Sequence, residues 1–205
     1  MSAALFADSA PSRMWPRLAL LLALQLAALV WMIADRALVL RNGTEILLKV
    51  EPVDPRDFFR GDYVTLGYAI SSLLVPADAP AAALESGQHV FVRVRPGEDG
   101  AAEVLDVAPE KPAGDGLVLR GTVLGRFETR RATDGEDDGC ADRCVRLRVR
   151  YGIEQYFVPQ GEGRAIERIT GDGRVGIVAA VAPSGEMAIK RLLVDGDPVY
   201  DEPLW

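Results

Sequence analysis

Leu18 to Ala34 reads LALLLALQLAALVWMIA, seventeen residues with no charge and one amide, Gln25. Wound as an α-helix at about 1.5 Å per residue, the run covers roughly 26 Å. The hydrocarbon core of a bilayer is about 30 Å thick. Trp15 and Pro16 extend the segment, and Trp15 and Trp31 lie where interfacial aromatic residues gather. The run has no strong polar face, which argues against a helix lying in the membrane surface. The rival to a spanning anchor is a cleaved signal peptide. Met32-Ile33-Ala34-Asp35-Arg36-Ala37 contains no clean small-x-small cleavage site, so the anchor is the preferred reading. Gln25 is expected to bond within the helix or at a lipid-buried contact, with a partner helix as the functional alternative. Arg13 and Arg17 precede the run while Arg36 and Arg41 come after it, so basic residues alone do not orient it.

Beyond the run, period-two or apolar strand patterns recur at 45–53, 63–70, 89–95, 102–108, 117–126, 145–151, 155–158, 174–181 and 187–194. Turn signals separate them at Pro96-Gly97, Asp115-Gly116, Asp134-Gly135, Asp172-Gly173, Ser184-Gly185 and Asp195-Gly196. Only Pro80–Glu85 and Arg164–Ile169 look helical, and both are short. Many closely spaced strands predict a mainly β domain, barrel- or sandwich-like. The expected organisation is a tail over 1–14, a transmembrane anchor over 15–36 and a β-rich domain over 37–205. Val75–Ala83, rich in alanine and proline, and the acidic stretch Thr129–Arg143 are expected to be surface loops. The acids of the second (Asp134, Glu136, Asp137, Asp138, Asp142) lack the alternating ligand spacing and terminal glutamate of a calcium loop.

Residues 58–70 read FFRGDYVTLGYAI, with the spacing G-D-Y-x-x-L-x-Y from Gly61 to Tyr68. Gly-Asp is turn chemistry, and the residues after it are mostly β-branched, aromatic or apolar, as strands prefer. Val64, Leu66, Tyr68 and Ile70 share the inferred core face, whereas Tyr63, Thr65, Gly67 and Ala69 share the other. A turn leading into a buried strand accounts for the pattern. The sharper reading makes Arg60, Gly61, Asp62 and Tyr63, with Leu66 and Tyr68, a recognition surface. The motif resembles the signature of the bacterial GDYXXLXY family of membrane-anchored proteins. Further matching pieces are Pro52-Val53-Asp54-Pro55-Arg56, Tyr156-Phe157-Val158-Pro159 and Gly161-Glu162-Gly163. That resemblance, with the short N-terminal tail, implies a cytoplasmic N-terminus and a C-terminal domain in the periplasm of a Gram-negative cell. It implies no activity.

Other residues carry weaker signals. Cys140 and Cys144, the two cysteines, stand in a C-x3-C spacing; two thiols do not make a structural zinc site, and the spacing misses the C-x-x-C redox motif. In an oxidising compartment they are expected to pair as a local clip, with two free thiols as the alternative. Arg146, Arg148 and Arg150 alternate with Leu147, Val149 and Tyr151, so the arginines share one strand face. Either acids on neighbouring strands meet them, or they face anionic lipid headgroups or an acidic partner. Lys190-Arg191, coming after the membrane segment and the RGDYV block, is similar to the layout of type I signal peptidases. The stretch Val50–Arg56 where that resemblance calls for a serine contains none, and Thr44 lies too early. Lys190 is expected to reach solvent. Asp54, Asp57, Asp62, Glu154 and Glu162 supply carboxylates, but spacing brings no two together for acid–base work. His89 is the single histidine and reads as the residue that opens a strand, so no metal site is expected. No cofactor motif stands out, and a net charge of −7 argues against nucleic acid as a partner. The combined expectation is a non-enzymatic envelope protein that contacts lipid through its anchor and binds an integral membrane protein. Its competitors are a degenerate signal-peptidase-like or carboxylate-based hydrolase and a small-ligand or lipid sensor.

Overall fold

The uncharged run sits inside one long helix, α1 (Met14–Asn42), in a computed structural model that describes residues 14–51, 63–130, 143–157 and 174–201. The helix is long and apolar enough to cross a membrane. Its leucines from Leu18 to Leu38, with Trp15 and Trp31, are exposed. The chain divides into two compact units after Leu38. The last helical turn belongs to the second: Val39 and Leu40 are buried with Ala180 and Ala188. Gly43 then donates its N–H to the Val39 carbonyl at 2.9 Å, and Thr44 begins the first strand. A Cβ at Gly43 would crowd the Val39 carbonyl and come within 2.9 Å of the Val181 nitrogen. The missing side chain therefore permits this abrupt change from helix to strand.

The second unit is β-rich. One five-stranded sheet has the order β12 (Asp197–Asp201), β11 (Met187–Val194), β10 (Val175–Val181), β1 (Thr44–Glu51), β3 (Gly67–Tyr68). The other has the order β4 (Ser72–Pro76), β8 (Arg143–Arg150), β7 (Leu117–Arg130), β5 (His89–Pro96), β6 (Ala102–Ala108). A two-stranded ribbon pairs β2 (Tyr63–Thr65) with β9 (Gln155–Phe157). All these pairings are antiparallel. The chain passes from β3 to β4 through a single 3-10 turn, Ala69–Ser71, and a parallel bridge from Leu47 to Ala101 ties β1 to the start of β6. These two joins bring the sheets into a nearly closed, barrel-like arrangement. One core fills it, from Leu48, Tyr68 and Ile177 on the first sheet to Val92, Leu119 and Leu147 on the second.

Three local expectations change. The predicted strand 63–70 is not continuous: it pairs with β9, breaks at Leu66, and resumes against β1. Its alternation survives the break, because Leu66, Tyr68 and Ile70 are all buried. Val75–Ala83 is a surface loop only in part: residues 76–78 are exposed, but Val75 lies in β4, and Ala81 and Ala82 are buried in a 3-10 turn at Pro80–Ala83, within the stretch 80–85 that looks helical. Small side chains fit beneath Arg126, which donates to the Ala82 carbonyl at 2.8 Å. Past the Asp195-Gly196 turn the chain forms a further strand, β12, which holds Pro198 and lies at the sheet's edge, where proline is tolerated. The expected helix at 164–169 lies outside the described residues.

Candidate functional site

The second half of the signature is tied into the fold. The Leu66 N–H donates to the Glu154 carbonyl at 2.8 Å. The Tyr68 hydroxyl donates to the Ile153 carbonyl at 2.5 Å, and the Tyr151 hydroxyl donates back to the Ile70 carbonyl at 2.8 Å. The Glu154 carboxylate closes the far side, accepting from the N–H groups of Tyr151 and, at 2.9 Å, Gly152. The segments 66–70 and 151–154 thus clasp each other through reciprocal tyrosines. Gly121 makes room for the clasp: a Cβ there would collide with Val149 and lie 3.1 Å from the Tyr151 ring. Burial, and then the Glu154 charge, push both phenols above the usual tyrosine range. They are neutral hydrogen-bond donors at any physiological pH, not acids or bases. Leu66 and Tyr68 therefore hold structure. Sequence reasoning missed Glu154 and Ile153 as their partners, and Tyr151 as the partner of Ile70; a glycine with glutamate two residues later, Gly152-Ile153-Glu154, was the available turn signal.

The first half of the signature leads away from this core. Arg60, Gly61 and Asp62 lie outside the described residues. Tyr63, at the start of β2, stands opposite Phe157, and Val64 opposite Tyr156. The ribbon therefore sets side by side two strands that are distant in the chain, Tyr63–Thr65 and Gln155–Phe157.

Arg146, Arg148 and Arg150 project from the outer face of β8, while Val145, Leu147 and Val149 between them are buried. Among the described residues no carboxylate lies within ion-pair distance of any of the three. Their cross-strand neighbours are Leu74 and Phe127 for Arg146, Ser72 and Gly125 for Arg148, and Thr122 for Arg150. Arg146 reaches only the Ser72 hydroxyl, at 3.5 Å. The expected pairing with acids on adjacent strands is thus absent here, although it is present elsewhere: Arg93 meets Asp106 at 3.1 Å, and Arg95 meets Glu103 at 3.4 Å.

Lys190 does not simply reach solvent. Its side chain is 19% exposed and donates to Glu45 at 2.7 Å, and Arg191 bonds the same carboxylate at 3.1 Å. Alternation would send consecutive residues to opposite faces. A register shift in β11 between its pairings with Val178 and Ala179 leaves Lys190 as an extra residue, and both cations then reach one acid. The hydrogen bond from Lys190, with the nearby Arg191 charge, holds the Glu45 carboxyl below its usual range. The Lys190 ammonium is thus occupied by an ion pair with Glu45 rather than placed beside a serine or threonine hydroxyl.

Cys144 is disulfide-bonded and buried in the core; the chain's other cysteine, Cys140, lies outside the described residues, as do Asp54, Asp57 and Glu162. His89 is exposed at the start of β5, opposite Thr122. Among the described residues no three His, Cys, Asp or Glu side chains are grouped to hold a metal. A cavity of about 40 Å³ between Leu48, Lys49, Tyr68, Ala69, Ile70 and Ala101 has room for water. A small-molecule pocket is typically about 300–1,000 Å³.

No curated protein and no solved structure resembles the chain to a significant degree. The family model described as "GDYXXLXY protein" matches residues 25–192, from inside the apolar helix almost to the end of β11. With its signature residues Leu66 and Tyr68 locked into the clasp, the chain belongs to the GDYXXLXY family.

Proposed function

We propose that the protein is a single-pass component of the bacterial inner membrane that binds or stabilises an integral membrane protein and catalyses no reaction. Helix α1 is the anchor, the N-terminus is cytoplasmic, and the β-rich unit works outside the cytoplasm. The observation that carries this reading is a helix clothed in exposed leucines that runs without a linker into a β-domain. Among the described residues, the polar groups that could have served catalysis are committed to one another. Lys190 is neutralised by Glu45, the signature tyrosines are buried donors, and the Glu154 carboxylate is taken up by backbone N–H groups. The ribbon of β2 and β9 belongs to neither five-stranded sheet. It supports a docking role, because it pairs the strand that begins at Tyr63 with Gln155–Phe157 apart from the two larger sheets.

The test is recovery of the full chain from detergent-solubilised membranes, with mass spectrometry of whatever co-purifies. One membrane protein recovered in stoichiometric amount is the expected result. A monomer that turns over peptide substrates would overturn the reading in favour of an enzyme.

A further inference from the structure

We propose that the outer face of β4, β8 and β7 docks on anionic phospholipid headgroups, with Arg146, Arg148 and Arg150 as phosphate ligands and Phe127 and Leu124 as the apolar contact. The inference rests on the membrane-anchor reading. It starts from a contrast within one domain. Lys49, Arg93, Arg95, Arg120, Arg126, Arg174, Lys190 and Arg191 each meet a carboxylate. The β8 row meets none among the described residues, in a chain whose net charge is −7. Arginines at alternate strand positions stand about 7 Å apart, so the row spans about 14 Å. Like charges held in line repel one another unless an anion is shared, and the planar guanidinium suits phosphate through paired N–H donors.

The surroundings select a lipid surface over an acidic protein strand. β8 is an interior strand, bonded to β4 on one side and β7 on the other, so its backbone offers no edge for an added strand. Only the face is open. It carries apolar groups amid the cations: Phe127 is 51% exposed and Leu124 49%. The Phe127 ring lies over Gly125, within 3.1 Å of where that residue's Cβ would be, between the rows of Arg146 and Arg148. Leu124 is the extra residue where the β7 register shifts. Cations flanking an exposed aromatic ring and a leucine match the headgroup zone, where phosphate and hydrocarbon meet within a few ångströms.

The full chain, reconstituted in nanodiscs of neutral phosphatidylcholine or of phosphatidylcholine mixed with phosphatidylglycerol, is treated with phenylglyoxal. Modification of each arginine is read by mass spectrometry. Arg146, Arg148 and Arg150 should react roughly tenfold more slowly in the anionic discs, given a contribution of about fivefold in affinity per surface arginine. Half-molar salt should restore the rate, and Arg95 should be indifferent to the lipid. Arg148→Glu, a change at an exposed position, should restore reactivity at Arg146 and Arg150 in anionic discs. Equal rates in the two lipids overturn the proposal. Protection in native membrane vesicles but not in anionic discs also overturns it, and assigns the face to a protein. A chain that fails to float with either disc removes the anchor reading first, and the docking with it.

Discussion

Removing one oxygen from Tyr68 leaves its ring in the core and orphans the Ile153 carbonyl. Tyr68→Phe should therefore cost about 1–3 kcal/mol, the penalty for an unmet buried polar group, and Tyr151→Phe should do the same to the Ile70 carbonyl. Leu66→Ala, at a site 1% exposed, should cost more, about 2–5 kcal/mol, because it leaves a cavity. Denaturant melts of the three variants check both sizes, and a Tyr68→Phe protein as stable as the parent would deny the clasp. The phenols also set an alkaline limit. Burial raises both, so their contribution is complete below about pH 10, the ordinary tyrosine value, and is lost as pH rises above it, where the unfolded chain ionises first. Parent stability should fall above pH 10, and less steeply in the double Phe variant. Glu45 acts at the other end. Its carboxyl is held low chiefly by the Lys190 hydrogen bond, so its contribution is present above about pH 4.5 and disappears as pH falls through the depressed value. Because the group is partly exposed, the effect should stay below about 1 kcal/mol, and Glu45→Gln should flatten the acid limb of the stability curve.

At the scale of elements, periodicity identified the faces before it could identify the partners. Leu66, Tyr68 and Ile70 fall on the face that alternation assigns to the core, and Arg146, Arg148 and Arg150 on the outer face of their strand. What alternation does not encode is that the strand through Leu66 leaves β9 for β1, since pairing is decided by residues 85 positions away, as with the Tyr68–Ile153 bond. The bulge at Lys190 was hidden for a related reason: a one-residue register shift has no signature in a strand as apolar as β11. Composition misled at Ala81 and Ala82, where residues that look like loop are small enough to be covered completely. β7 shows how closely such covered places are fitted. Gly121→Ala puts a methyl group against Val149 and the Tyr151 ring, and should cost about 1–3 kcal/mol by overpacking. A circular-dichroism melt checks this, and an unchanged midpoint would mean that the Tyr151 segment yields without loss.

In the whole chain, α1 ends at Asn42 and β1 begins at Thr44, and that succession bears on whether the helix is kept. A signal peptide is cut where its apolar region ends, in extended chain that the peptidase can bind. Here the uncharged run ends at Ala34, yet the helix continues through Asp35 and Arg36 to Asn42. Its last turn contributes Val39 and Leu40 to a cluster with Ala180 and Ala188. Cutting near Ala37 would therefore leave a ragged half-turn of helix holding buried side chains, with no helical run before it to stabilise the turn. At about 1.5 Å per residue the 29-residue helix is roughly 43 Å long, enough to cross about 30 Å of hydrocarbon and still reach the domain. The mature protein should accordingly retain Met14–Ala34 and resist extraction from membranes by alkaline carbonate, and a reporter fused after Trp205 should be active outside the cytoplasm. N-terminal sequencing gives the decisive reading. A mature chain that begins near Ala37 would make the helix a leader, release the β-domain from the bilayer, and take away the premise on which both the partner and the lipid contact of the arginine face depend.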